Sequence, residues 1–209
     1  LGFRSAHWLR EYSAGLGVGA GMVSAVVLAL NALGSVTQDP TPSHPSGLAA
    51  AGSLAVFFFG YVVQGGTEEV VSRGWILTSV SARHGRPWGV ALSTLFFVAC
   101  HALNRGVSPM AIVNLALFGV FTSLYVFRTD SLWGACGFHS AWNFALGNLF
   151  GLDVSGLPPY ITVLDLKARG SALITGGAFG PEAGLPVSAA LGLGILWFLL
   201  TAGTRKKPS

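Results

Sequence analysis

The stretch SLAVFFFGYVVQGGTEEVVSRGW (residues 53–75) places two adjacent carboxylates and an arginine directly after a long apolar run. Glu68 and Glu69 end the run, and Arg73 comes four residues after Glu69. A carboxylate or an arginine at the centre of a bilayer costs about 2.5–3.5 kcal/mol on insertion scales, so such residues are candidates for a function. The stretch therefore raises two questions: whether the chain crosses a membrane, and what the charges do there.

The composition of the whole chain favours a membrane protein. Of the 209 residues, 52% are hydrophobic and 10% are charged, whereas an average soluble domain carries about 25% charged residues. Because backbone groups must be satisfied within lipid, the apolar segments are predicted to be helices. We expect an all-α, polytopic membrane helix bundle that forms a single membrane domain over residues 1–209. The net charge of +4 comes from basic residues in short loops and at the ends, so no nucleic-acid partner is expected.

The number of membrane spans is ambiguous between six and seven. The apolar segments are 14–34, 48–66, 70–82, 87–103, 109–127, 131–151 and 185–202, and the longest connections are 38–47 and 152–184. Segment 70–82 is short and contains Arg73, so hydropathy alone gives six spans. With six, 9 of the 12 basic residues lie on the side of both termini, as the positive-inside rule expects. With seven, that bias nearly vanishes.

Three residue pairs with a spacing of four lie in or beside apolar segments. They are Glu69 and Arg73, Phe97 and His101, and His139 and Asn143. Residues four apart share one helix face, so Glu69 and Arg73 can pair, while Glu68 is turned about 100° away. On a soluble helix such a pair, or one histidine on an apolar face, is usually structural. The apolar setting favours a function instead.

These side chains suit the hydrolysis of an amide in or at the edge of the bilayer. Glu68 can act as a general base on water, and His101 can share the proton or hold the water. His139 and Asn143 can donate hydrogen bonds to a developing oxyanion. Alternatively, Glu68, His101 and His139 could hold a divalent metal such as zinc with an open position for water. The spacing leaves both mechanisms open.

The order EExxxR, FxxxH and HxxxN on consecutive apolar segments resembles the CPBP family of intramembrane proteases, which includes the CAAX prenyl endopeptidases and the bacterial Abi proteins. The resemblance covers residues 60–150, which we expect to be the catalytic core. It implies a catalytic set of Glu68, His101, His139 and Asn143, supported by Glu69, Arg73 and Phe97. The family has been described both as metalloproteases and as glutamate proteases. Because Asn143 is a poor zinc ligand, we favour water activated by Glu68 without a required cofactor.

The resemblance also bears on topology and partners. If residues 48–103 formed only two spans, Glu68 and His101 would lie about 25–30 Å apart. A separate short helix over 68–82 would bring them to one end, so we expect seven elements. The resemblance implies a bacterial plasma-membrane protein surrounded by lipid, with a site that opens to the cytosol. Its implied substrate is a peptide or a lipidated protein.

Two other functions compete with a protease. A proton-coupled transporter or channel could use Glu68, His101 and His139 as a relay, but it needs polar groups through both halves of the bundle. A non-catalytic scaffold or immunity protein could keep the fold, although the intact motifs argue against it. A serine rhomboid-type protease and a zincin are disfavoured, because the sequence has neither G-x-S-x-G nor H-E-x-x-H.

Several further residues are predicted to be structural. Cys100 and Cys136 lie in apolar segments, where helix packing is favoured over a thiol nucleophile or metal ligation. Trp133 and Trp142 are assigned to packing or to the interface belt. The stretch TGGAFGPEAG (175–184) is predicted to be a turn packed against the bundle.

Overall fold

The computed structural model describes residues 2–40 and 51–201, which are mostly helical. Within them, Trp8–Ala32 and Pro109–Thr129 are long and apolar enough to cross a membrane, while Arg86–Cys100 and Leu185–Thr201 are shorter apolar helices. Most of the predicted connection 38–47 and the end of the last predicted span lie outside the described residues. A membrane helix bundle agrees with these lengths and compositions.

From Ala51 to Leu149 the helices follow one another with short turns. In chain order they are α1 (Trp8–Ala32), α2 (Ala51–Glu69), π1 (Val70–Leu77), α3 (Thr78–His84), α4 (Arg86–Cys100), α5 (Pro109–Thr129), α6 (Trp133–Phe144), π2 (Ala145–Leu149), α7 (Ala172–Thr175) and α8 (Leu185–Thr201), where π1 and π2 are π-helical. Two short strands, β1 (Val36–Gln38) and β2 (Leu166–Ala168), pair antiparallel with Thr37 opposite Lys167. The expected all-α fold did not include this strand pair.

The bundle has two ends, which we call the turn end and the loop end. The turn end holds the start of α1, the turns at Gly85 and at 130–132, and the end of α8, as shown by contacts of Trp8 with Trp133, Arg86 with Phe127, and Arg128 with Thr201. The loop end holds the strand pair and the connections 101–108 and 150–184. The described residues pass between the two ends six times.

The expected separate helix over 68–82 is wrong. Elements α2, π1 and α3 form one unbroken helical run from Ala51 to His84. At 1.5 Å per residue the run is about 50 Å long, which exceeds the roughly 30 Å hydrocarbon core of a bilayer. The seven-element prediction required a turn before the two glutamates, and the chain does not turn there.

The chain turns at Gly85, which separates the helical run that carries Glu68 from the helix that leads to His101. Its φ of 88° favours glycine. Glu68 precedes Gly85 by 17 residues, and His101 follows it by 16. The two arms of this hairpin are therefore nearly equal in length, and the two side chains lie at the same level. The sequence argument placed the turn too early and so required an additional element.

Glycines bring α1 and α6 into backbone contact. A Cβ on Gly15 would lie 2.0 Å from the carbonyl oxygen of Gly134, and one on Gly137 would lie 2.2 Å from that of Tyr12. Small residues at membrane-helix interfaces allow this close approach. The helix that contains His139 is thus fixed against α1 without intervening side chains.

Candidate active site

A cavity of about 550 Å³ lies between α2, α4, α5, α6 and α8, and it extends from mid-depth toward the loop end. Phe118, from the middle of α5, contacts His139 there, with ring centroids 4.9 Å apart. Five of the seven residues predicted to be catalytic or supporting line the cavity: Glu68, Phe97, His101, His139 and Asn143. The structure therefore brings the four predicted catalytic side chains together, although their roles stay predictions.

Glu68 directs one carboxylate oxygen between two imidazoles. Its Oε2 lies 3.8 Å from Nε2 of His101 and 3.9 Å from Nε2 of His139. That oxygen is buried and has no hydrogen-bond partner among the described residues, although 28% of the side chain is exposed. The other oxygen, Oε1, accepts a hydrogen bond from Nε2 of Gln64. Glu68 is thus held through one oxygen and presents the other.

Both histidines are oriented through Nδ1. Nδ1 of His101 lies 2.8 Å from the carbonyl oxygen of Phe97, and Nδ1 of His139 lies 2.9 Å from Oε1 of Glu69. A carbonyl or an ionised carboxylate only accepts, so each Nδ1 donates. In the neutral imidazoles Nε2 therefore presents a lone pair toward Glu68. Three acceptors converge on one point, which suits a water molecule that donates two hydrogen bonds.

Glu69 lies at the centre of a buried charge network. Its Oε1 also contacts NH1 of Arg73 at 3.0 Å, and both side chains are fully buried. The guanidinium lies over the ring of Phe97, 4.7 Å from the centroid. This contact is the ion pair that the spacing of four allows. The network runs from Arg73 through Glu69 to His139, so the second glutamate orients a histidine as well as pairing with the arginine.

Asn143 is connected to Glu68 through hydrogen bonds of the Gln64 side chain. Nδ2 of Asn143 donates to Oε1 of Gln64 at 2.9 Å, and Nε2 of Gln64 donates to Glu68. Because an ionised carboxylate cannot donate, the amide of Gln64 has only this orientation. Sequence reasoning missed Gln64. The available signal was its position four residues before Glu68, on the same helix face.

Two of the three motif-bearing helices become π-helical next to the site. π1 begins directly after Glu69, and π2 begins two residues after Asn143. Short π-helical segments occur often at functional sites. Arg73 lies within π1 and is fully buried there.

Glu182 connects the loop of residues 150–184 to α6 at the wall of the cavity. Its carboxylate accepts hydrogen bonds from Nε1 of Trp142 at 2.9 Å, from Oγ of Ser155 at 2.8 Å and from the Ser155 backbone N–H. Ser155 has a φ of 48°, which is uncommon for a residue other than glycine, and Nδ2 of Asn104 donates to its carbonyl oxygen at 3.0 Å. Sequence reasoning placed Glu182 in a packed turn and missed these contacts, which are distant in sequence.

The two cysteines differ in exposure. Cys100 is exposed and lines the cavity, whereas Cys136 is buried. Trp142, assigned from the sequence to packing or the belt, is buried and also lines the cavity.

The metal alternative depends on the donor set of Glu68, His101 and His139. Two imidazoles and one carboxylate are a set that catalytic zinc uses, and ligand atoms in such a tetrahedral site lie about 3.4 Å apart at the usual bond lengths. The corresponding separations from Glu68 Oε2 are 3.8 and 3.9 Å. Among residues 2–40 and 51–201, no group of three such side chains is arranged to hold a metal ion. The separations from Glu68 are thus about 0.4–0.5 Å wider than in such a site, and the metal alternative stays a prediction.

Residues 50–145 match the family described as type II CAAX prenyl endopeptidase Rce1-like. Over these residues the chain is similar to that family. The match confirms the predicted resemblance to the CAAX protease family. The Rce1-like segment is a little under half of the chain and contains all four predicted catalytic residues. Neither a curated protein nor a solved structure matches the chain.

The Rce1-like match supports a protease of the membrane that acts on a peptide or a prenylated protein. Ser155 and Glu182 lie outside the matched residues. The loop that closes one side of the cavity is therefore not covered by the Rce1-like resemblance.

Proposed function

We propose that the protein is an intramembrane endopeptidase that hydrolyses a peptide bond of a membrane-associated or C-terminal peptide, with water activated by Glu68. The observation that carries the proposal is the placement of Glu68 Oε2, which is buried, has no described hydrogen-bond partner and lies within 3.9 Å of two imidazole nitrogens. A general base needs its substrate proton within hydrogen-bond reach. The cavity beside it, of about 550 Å³, has room for a peptide segment.

In the proposed reaction, Glu68 takes one proton from the water as its oxygen bonds to the carbonyl carbon. The carbonyl π electrons move to the carbonyl oxygen and form an oxyanion. Nε2 of His101 accepts a hydrogen bond from the second hydrogen, which stays on the water oxygen, and so positions the water. When the tetrahedral intermediate collapses, the C–N bond breaks and Glu68 returns its proton to the leaving amine.

The oxyanion is assigned to His139 and Asn143. In this step His139 is the imidazolium and not the neutral form described above, because its Nδ1 already donates to Glu69 and only the cation can also donate from Nε2. Glu68 and His101 then remain as the two acceptors for the water. The carboxylate of Glu69 lies against that cation, and Arg73 contacts the same carboxylate. Nδ2 of Asn143 donates one hydrogen to Gln64, and we assign its second hydrogen to the substrate oxygen.

Packing favours this function over a proton relay. Between the site and the turn end lies a buried apolar cluster of Leu77, Val126, Leu132, Ala135 and Cys136. A relay needs polar groups through both halves of the bundle. The cavity reaches from mid-depth toward the loop end, and this cluster closes the other side.

The experiment compares the membrane proteomes of cells that contain the wild-type protein, Glu68→Gln or Glu11→Gln. Glu11 lies on α1 and does not line the cavity, so it is the matched control. We expect new cleaved termini with the wild type and Glu11→Gln, and none with Glu68→Gln at equal protein abundance. The same cleaved termini with Glu68→Gln would contradict the proposal and support a non-catalytic scaffold.

The distribution of charges and the family resemblance predict opposite orientations of the chain in the membrane. At the turn end the described basic residues are Arg4, Arg10, Arg83, Arg86 and Arg128, against Glu11 and Asp130. At the loop end the described charged residues are Arg105, Lys167, Arg169, Asp39, Asp153, Asp165 and Glu182. The positive-inside rule places the turn end in the cytoplasm, whereas the family resemblance implies that the site opens there. We propose that the protein lies in a bacterial plasma membrane with its turn end in the cytoplasm. This orientation follows from the charges, which are a property of this chain itself.

A further inference from the structure

A second cleft, of about 490 Å³, lies at the turn end between the start of α4, the end of α5 and the end of α8. Two arginines, Arg86 and Arg128, line it together with six apolar residues. These are Pro87, Val90, Leu124, Phe127, Phe198 and Leu199. The cleft shares no lining residue with the catalytic cavity, and none of its lining residues is acidic.

The cleft has charge at its rim and apolar side chains in its depth. Arg86 is the first residue of α4, and Arg128 lies in the last turn of α5. Val90 follows Arg86 by four residues, and Leu124 precedes Arg128 by four, so both apolar side chains lie about 6 Å deeper along their helices. A phospholipid has the same order, with a charged head group outside and acyl chains within.

Contacts within the protein hold the two guanidinium groups at this rim. That of Arg86 lies over the ring of Phe127, 4.8 Å from the centroid. NH1 of Arg128 donates to the carbonyl oxygen of Thr201 at 3.1 Å. A guanidinium carries five N–H donors in a planar fork that matches a phosphate group. Two such forks beside one apolar cleft form a complementary site for a phosphate joined to an alkyl chain.

We propose that this cleft binds an anionic phospholipid, with its phosphate between Arg86 and Arg128 and one acyl chain along Val90, Leu124 and Phe198. Basic pockets between membrane helices are known to bind anionic head groups. The net positive charge of the described turn end attracts such lipids, and none of the residues that line the cleft is acidic. The proposal does not depend on proteolysis.

The test measures lipid binding by the purified full chain in the Glu68→Gln background, which keeps proteolysis out of the measurement. The probes are phosphatidylglycerol and phosphatidylcholine, read by native mass spectrometry and by thermal unfolding in detergent. We expect phosphatidylglycerol to bind and to raise the melting temperature, with phosphatidylcholine bound at least tenfold more weakly. The variant Arg86→Gln/Arg128→Gln should lose this preference. Arg83→Gln, which alters an exposed arginine at the same end outside the cleft, should keep it.

A second variant keeps the charges and fills the cleft. Leu124→Trp should weaken phosphatidylglycerol binding at least tenfold while both arginines remain. Equal responses of the double arginine variant and the control, or equal responses to the two lipids, would overturn the proposal. So would a shift reproduced by inorganic phosphate alone, or lipid binding that appears only after removal of residues 202–209.

Discussion

Nδ1 of His139 and NH1 of Arg73 contact the same carboxylate oxygen, Oε1 of Glu69, at 2.9 and 3.0 Å. All three side chains are almost fully buried. An arginine, a carboxylate and an imidazole therefore form one connected unit behind the cavity. The unit fixes the ring of His139, and its charges depend on one another because all three side chains are shielded from solvent.

Arg73→Met should destabilise the protein by about 3–5 kcal/mol, because removal of one partner leaves a buried charge uncompensated. The double variant Glu69→Gln/Arg73→Met should be more stable than Arg73→Met alone, since neither charge then remains. Unfolding by denaturant in detergent measures both. Equal stability of the single and double variants would show that the two charges are not coupled.

Gln64→Leu should lower the rate of cleavage roughly 10–100-fold, the range seen when groups that orient reactive residues are removed. The change takes a hydrogen bond from Glu68 and an acceptor from Asn143. The measurement is the rate on a substrate found in the proteome comparison. Thr67→Ala, a neighbour on α2 whose hydroxyl donates to the carbonyl of Val63, is the control. An unchanged rate in Gln64→Leu would remove this glutamine from the mechanism.

Chelation should leave cleavage unchanged, because the separations between Glu68 and the two histidines exceed those of a tetrahedral zinc site. The measurement is the cleavage rate before and after dialysis against EDTA. Inactivation by EDTA, followed by recovery with zinc, would contradict the proposed mechanism and show that the attacking water is bound to a metal ion.

Cys100 reports the orientation of the chain. If the loop end faces outward, a membrane-impermeant maleimide should label Cys100 in intact spheroplasts, whereas buried Cys136 stays unlabelled. Lys167→Cys, at an exposed loop-end position, should behave in the same way in a Cys100→Ser background. Arg83→Cys, at the turn end, should react only after permeabilisation. The reverse pattern would establish the orientation that the family resemblance implies.

Asp153 makes stability depend on pH. Burial raises the pKa of its carboxyl, and the positive charge of Arg105 partly offsets this. Because the folded-state pKa lies above the unfolded value, the stabilising contribution is complete at low pH and is lost as pH rises through the folded pKa. Asp153→Asn should therefore raise the melting temperature near pH 7 and leave it unchanged near pH 3. Asp130→Asn, at an exposed turn, should show no such difference.

The local part of the site could be predicted from the sequence, because spacing within one helix determines which side chains share a face. That is why Glu69 was paired with Arg73 and separated from Glu68. The position of the turn could not be predicted in this way. Hydropathy falls at the charged residues near position 68, although the helix continues to His84 and turns only at Gly85.

The missed residues show where such reasoning ends. In the sequence, Gln64 is an ordinary polar residue in a helix. Its part in the site becomes visible only once its amide is seen to donate to Glu68. Glu182 meets Trp142 and Ser155 only after the loop of residues 150–184 has folded over the cavity. These contacts depend on how elements far apart in sequence pack, and no local pattern encodes them.

The nearly equal arms of the hairpin at Gly85 limit how the length of this sequence can vary. One residue inserted into either arm moves Glu68 or His101 by about 1.5 Å along the helix and about 100° around it, which takes that side chain off the cavity. A change in one arm therefore needs a matching change in the other. The number of residues between positions 68 and 101 is thus constrained even where the side chains face lipid and take no part in the reaction.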